Sequence, residues 1–135
     1  MIRKVQTCHD EQGGALRGTN TIHIFTAGGV SVAHLGDLGH QLTAEQLAEI
    51  GTVDVVLTPV GGVYTVDAIG AKAVCEAIGP RAVVPMHYRH APYGLPAVAG
   101  VEEFLSLWPQ VQKLNGNCFE VTGETAGVIV PAYQA

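Results

Sequence analysis

Charged side chains are scarce in this sequence. Seven Lys plus Arg and twelve Asp plus Glu make up 14% of its 135 residues, against about 25% in an ordinary soluble domain. So low a fraction implies a weakly polar surface or one hidden in a contact. The formal charge of −5 excludes the basic footprint with which proteins hold nucleic acid. No apolar stretch approaches the roughly 20 residues of a membrane-spanning helix, because Gly, Pro or Asp interrupts each one. Cysteine is sparse as well. Cys8, Cys75 and Cys118 are odd in number and irregular in spacing, without a CxxC pair, which argues against a disulfide framework or a zinc ribbon. With no secretory leader ahead of them, they read as reduced thiols of a cytoplasmic protein. Internal repeats, linkers and low-complexity tracts are also lacking, so residues 1–135 are expected to form a single domain, long enough to bury roughly two thirds of its unfolded surface.

What is present reads as alternating strands and helices. Ile2 to His9 is a candidate strand and Asp10 to Gly18 a glycine-rich loop. Thr21 to Thr26 and Val30 to Leu35 flank Ala27-Gly28-Gly29 as a hairpin would. Thr43 caps a helix from Ala44 to Ile50, with Gln46 completing the capping box and Gly51 as its stop. Val53 to Pro59 and Ala82 to Pro85 read as buried strands, and the helical spacing from Val66 to Ile78 between them implies a crossover and parallel pairing. Beyond a Pro- and Gly-rich loop after His90, a helix is expected over Val101 to Leu107. Short strands are expected at Val111–Leu114, Cys118–Thr122 and Gly127–Val130. The fold class is α/β, a mixed sheet with helices on one face.

Chemistry-bearing residues gather just past the expected strands: His9-Asp10, the run from His34 through Asp37 to His40, and Met86-His87-Tyr88. Groups at the carboxyl ends of strands converge in α/β sheets, and imidazole with carboxylate suits Zn, Fe or Mn. Taken singly, such residues more often serve turns or surfaces. His23, inside an alternating strand, and His90, opening a loop, keep that structural reading, and Asp37 between two glycines would also suit a turn.

Taken together, HDEQGGALRGTNTI (9–22), HLGDLGHQLT (34–43), PVGGVYTVDA (59–68) and PMHY (85–88) resemble the second half of the metallo-β-lactamase superfamily, in the bacterial metal-dependent hydrolase branch close to the UlaG-like lactonases. The resemblance implies half of an αβ/βα sandwich. It implies metal ligation by His9, Asp37 and His87, with Asp37 also catalytic as the bridging carboxylate. Asp10, His34 and His40 would lie behind the ligands and orient them. The implied cofactor is a divalent metal, Zn foremost and Mn or Fe as alternatives, activating water against an ester, lactone or phosphoester of a small-molecule substrate.

One departure matters. The HxHxDH segment of the family, which supplies further ligands, is missing from the sequence. Three protein ligands suffice for one zinc with an open position but not for two metals. The resemblance also leaves the sheet face that would meet the missing half uncovered, so the expected partner is a second copy, forming a homodimer through that apolar face, or a separately encoded amino-terminal half. The competing reading is a truncated, non-catalytic domain that self-associates and keeps its metal ligands as vestiges.

Overall fold

The computed structural model describes residues 1–133, which build one seven-stranded mixed sheet and three helices. In chain order these are β1 (Ile2–Cys8), β2 (Thr19–Ala27), β3 (Val30–His34), α1 (Ala44–Ile50), β4 (Val55–Pro59), α2 (Ala68–Ile78), β5 (Ala82–Met86), α3 (Glu102–Ser106), β6 (Val111–Lys113) and β7 (Gly127–Val130). The spatial order is β1-β2-β3-β4-β5-β7-β6. The first three strands form an antiparallel meander, and every pairing from β3 onward is parallel.

Local chemistry accounts for the joints. Gly28 and Gly29 have φ of 57° and 77°, the left-handed pair that a tight hairpin turn requires and that residues with a Cβ resist; this sets Ala27 opposite Val30. The α1 capping box forms, Thr43 accepting from the Gln46 amide and Gln46 accepting from the Thr43 amide. The next helix begins at Ala68 rather than at Val66, because the Asp67 side chain accepts the Gly70 N–H and so acts as the N-cap. It ends at Gly79, whose left-handed backbone returns its N–H to the Cys75 carbonyl. This crossover lays β5 parallel to β4, from Val55 opposite Ala82 to Pro59 opposite Met86.

One face of the sheet is packed under the helices. Val5, Ile22, Ile24, Ala33, Val56 and Val83 form one cluster with Ile50 of α1, Val74 of α2 and Phe104 of α3. The opposite face carries a smaller cluster, Val55, Ala82, Val84 and Ile129, onto which Phe119 and Val121 fold. That face is therefore covered by the chain itself at the β4–β7 end, while Ile2 and Phe25, directly paired across β1 and β2, remain 60% and 43% exposed. The expected strand at Cys118–Thr122 does not form. Thr122 and Thr125 close a turn on each other, and their carbonyls accept both bonds from Arg81 Nη1, so the backbone groups a strand would use are turned toward a side chain.

Candidate metal centre

The carboxyl ends of β1, β3 and β5 and the loop after β4 meet at one edge of the sheet. Past β3 the Leu35 N–H still bonds the Leu57 carbonyl, and the chain then turns sharply at Gly36, φ 62°. A Cβ at Gly36 would stand 2.7 Å from Asn20 Oδ1. That amide is the clamp of the turn: Asn20 accepts from the Asp37 N–H and donates to both the Leu35 carbonyl and Thr7 Oγ1, each at 2.9 Å. With the turn held at Leu35 and Asp37 and the amide itself anchored on Thr7 of β1, Asp37 is presented at a fixed place. Gly39 follows, donating to the Cys8 carbonyl and lying so close to the His9 and Asp10 backbone that any Cβ would overlap it. The end of β1 is thereby pressed against the Asp37 loop.

His87 is reached from the other side. It follows β5 with φ 54°, uncommon for a residue with a Cβ, and Gly61 of the loop after β4 packs against its carbonyl with no room for a side chain. The turn brings His87 Nε2 to 2.9 Å from Asp37 Oδ1, with both side chains about half exposed. These two residues are thus joined although fifty positions separate them in sequence.

The other expected site residues have distinct placements. His9 lines a cleft of 150 Å³ together with Arg17 and Tyr64, whose ring lies 5.4 Å from the Arg17 guanidinium carbon. At the rim of that cleft Val63 has φ 65°, a strained position for a β-branched residue. Asp10 is buried, and its carboxylate accepts four backbone N–H bonds, from Gln12, Gly14, Leu16 and Arg17. These bonds, that of Arg17 foremost, hold its pKa down at about 2 against the burial that pushes it up. The carboxylate thus organises the 10–18 loop. The His40 ring bridges the chain, accepting the Cys8 N–H at Nε2 and meeting the Gln41 carbonyl at Nδ1, so both nitrogens are engaged by backbone. His34 accepts the Gly36 N–H at Nδ1. Burial first, then the neighbouring His23 and His87, lowers its pKa, which favours the neutral ring.

The donor types at the centre of this arrangement fit a divalent ion: a carboxylate oxygen and an imidazole nitrogen converge and keep access to solvent. Their number stops short. Among the described residues no group of three or more His, Cys, Asp or Glu is gathered so as to hold a metal. Of the residues singled out from the sequence, the fold brings Asp37 and His87 together; Asn20 and the close approaches of Gly36 and Gly39 were not among them. Their sign in the sequence was that all three fall inside two of the four motif stretches, 9–22 and 34–43.

Comparison with known proteins bears on the family and the fold. The family profile described as Beta-lactamase superfamily domain matches residues 1–87. A UPF0173 metal-dependent hydrolase of Pyrococcus furiosus is 38% identical over 108 residues, 78% of this chain and 47% of the relative. One from Anaeromyxobacter is 38% identical over 99 residues, 71% of this chain and 35% of the relative. A crystal structure from Thermotoga maritima, a proposed Zn-dependent hydrolase of the metallo-beta-lactamase superfamily, superimposes with TM-score 0.80 at 37% identity, covering 96% of this chain and 64% of that one. The chain thus spans between a third and a half of the curated relatives named here. With the profile, the relatives and the sheet in agreement, the chain belongs to the metallo-β-lactamase superfamily.

Proposed function

We propose that this chain contributes to metal-dependent hydrolysis, with Asp37 and His87 holding a divalent ion, zinc foremost, and His9 joining them from the end of β1. The observation that carries the reading is the 2.9 Å approach of His87 Nε2 to Asp37 Oδ1 across two separate loops. Support for His9 comes from Gly39, which lets the His9 backbone lie against the Asp37 loop. An ion bound there supplies a Lewis acid that brings the pKa of water toward about 7. The chain's own part is positional. Asn20 fixes the Asp37 turn, Gly61 backs His87, and the half-exposed pair leaves room for an ester, lactone or phosphoester. The test is the metal content of purified protein, followed by hydrolysis assays on those three bond types with wild type and Asp37→Ala. Bound metal and turnover, both lost in the variant, are expected; turnover that Asp37→Ala leaves unchanged overturns the reading.

A second reading is favoured by one observation, that among the described residues the gathered donors do not reach three. In it the domain is non-catalytic by itself and associates with a second copy or with a separate amino-terminal half that supplies further donors. Metal-free protein that hydrolyses nothing alone supports this reading.

A further inference from the structure

His34 ends β3, three residues before Asp37, and backbone chemistry settles where its ring carries hydrogen. The Gly36 N–H bonds His34 Nδ1 at 3.1 Å. A backbone amide nitrogen only donates, so Nδ1 must be the bare nitrogen, and the hydrogen of the neutral ring is on Nε2. Burial first, and then the imidazole of His23, which stands directly opposite in the strand register, keep the ring neutral. His23 is itself steadied by stacking on Phe25, ring centroids 6.2 Å apart. His34 is therefore a fixed, uncharged N–H donor. Its Nε2 meets no acceptor among the described residues, and the ring bonds to none of His9, Asp37 and His87. It thus does not orient the expected ligands by a hydrogen bond, as the sequence suggested. Yet Asp37 and His87 lie near enough for their charges to act on it. An N–H group placed beside that pair, partly buried and anchored through its other nitrogen, is suited to an oxygen that arrives with a substrate.

We propose that His34 Nε2–H donates a hydrogen bond to the carbonyl or phosphoryl oxygen of the substrate at the Asp37–His87 centre, the oxygen on which negative charge gathers as water attacks. This inference rests on the metal-dependent hydrolase reading and adds to it a residue that touches the reacting group. No proton changes hands, since the ring begins and ends with its hydrogen on Nε2. A neutral donor suits the place better than a cationic one, which a bound divalent ion would repel.

The test begins with nuclear magnetic resonance of the His34 ring nitrogens in the full chain, which should show Nδ1 bare and Nε2 protonated. The opposite tautomer overturns the proposal whatever the metal or the turnover. Zinc uptake is then measured for wild type, His34→Asn and His34→Gln, followed by the affinity of each zinc-loaded protein for methylphosphonate, whose oxygens stand in for the charged oxygen. Asn at this position can still accept the Gly36 N–H, as Asn and Asp side chains do from two residues on, but it has no donor at the outer position; Gln can place an N–H there. His34→Asn should take up zinc as wild type does and bind methylphosphonate about tenfold more weakly, the contribution of one hydrogen bond to a charged group, and His34→Gln should recover most of the loss. Equal affinity in wild type and His34→Asn, or a loss that His34→Gln does not repair, overturns the proposal and leaves the hydrolase reading standing. Loss of zinc uptake in His34→Asn overturns it too, because the ring would then act through the ligands. Failure of the wild type to take up zinc removes the hydrolase reading and this inference with it.

Discussion

Asn20 is the residue on which the presentation of Asp37 depends, because one amide ties β2, the end of β3 and Asp37 together. Asn20→Ala leaves the Asp37 N–H and the Leu35 carbonyl without this partner. Denaturant unfolding should show a loss of about 1–3 kcal/mol, and affinity for a divalent ion should fall about 10- to 100-fold, as for other residues that orient ligands. Gly39→Ala should also cost about 1–3 kcal/mol, the range for overpacking, since its Cβ would overlap the backbone of His9 and Asp10. Unfolding midpoints equal to wild type would refute either account. At this scale the sequence was informative about chemistry and silent about support. Asp37 and His87 were singled out through the motif stretches that carry the family resemblance, whereas the role of Asn20 arises only when the start of β2 comes beside the turn after β3. Asp10 and His40 were visible as polar residues, but their bonds go to backbone, a choice made by loop geometry that residue type does not encode.

Among elements, the parallel strands are gathered at their entry ends by Asp54 and Arg81. The Asp54 carboxylate accepts the Ser31 N–H at 2.8 Å and faces Arg81 Nε at 3.4 Å, while Arg81 holds the turn before β7. The Ser31 bond first, and Arg81 after it, lowers the Asp54 pKa below its ordinary 3.8 despite some burial. A carboxyl depressed by folding contributes stability that is fully present above its unfolded value and disappears as pH falls through its folded one. Stability measured downward from about pH 5 should therefore decline, and Asp54→Asn should flatten that decline; parallel acid limbs in the two proteins would contradict it. The regular elements were readable from β1 through β5 because caps, glycine turns and apolar runs act locally. The segment around Phe119 and Val121 was not. Its alternation suits a strand, yet Arg81, 41 and 44 residues away in sequence, takes the Thr122 and Thr125 carbonyls.

For the whole molecule, the question is what meets the sheet face opposite the helices. Val55, Val84 and Ile129 are already covered there by Phe119 and Val121, and the apolar side chains that this face leaves exposed at the β1–β2 end are Ile2 and Phe25. If a second copy closes over this end, light scattering should give twice the 14.1 kDa chain mass, and Phe25→Glu should return it to the single-chain value. A single-chain mass in the wild type would instead leave the face to a different partner. No helix among the described residues is long and apolar enough to cross a membrane. Fold membership was readable from four short motifs, but the shortfall in metal donors became concrete only when the side chains could be placed together.

The central claim is that Asp37 and His87 form the chain's own part of a metal centre. Its most direct test is a zinc titration against a chromophoric chelator with wild type, Asp37→Ala and His87→Ala, each first shown to be folded. The account predicts competition by the wild type and loss of it in both variants, whereas equal zinc uptake by all three folded proteins would contradict it.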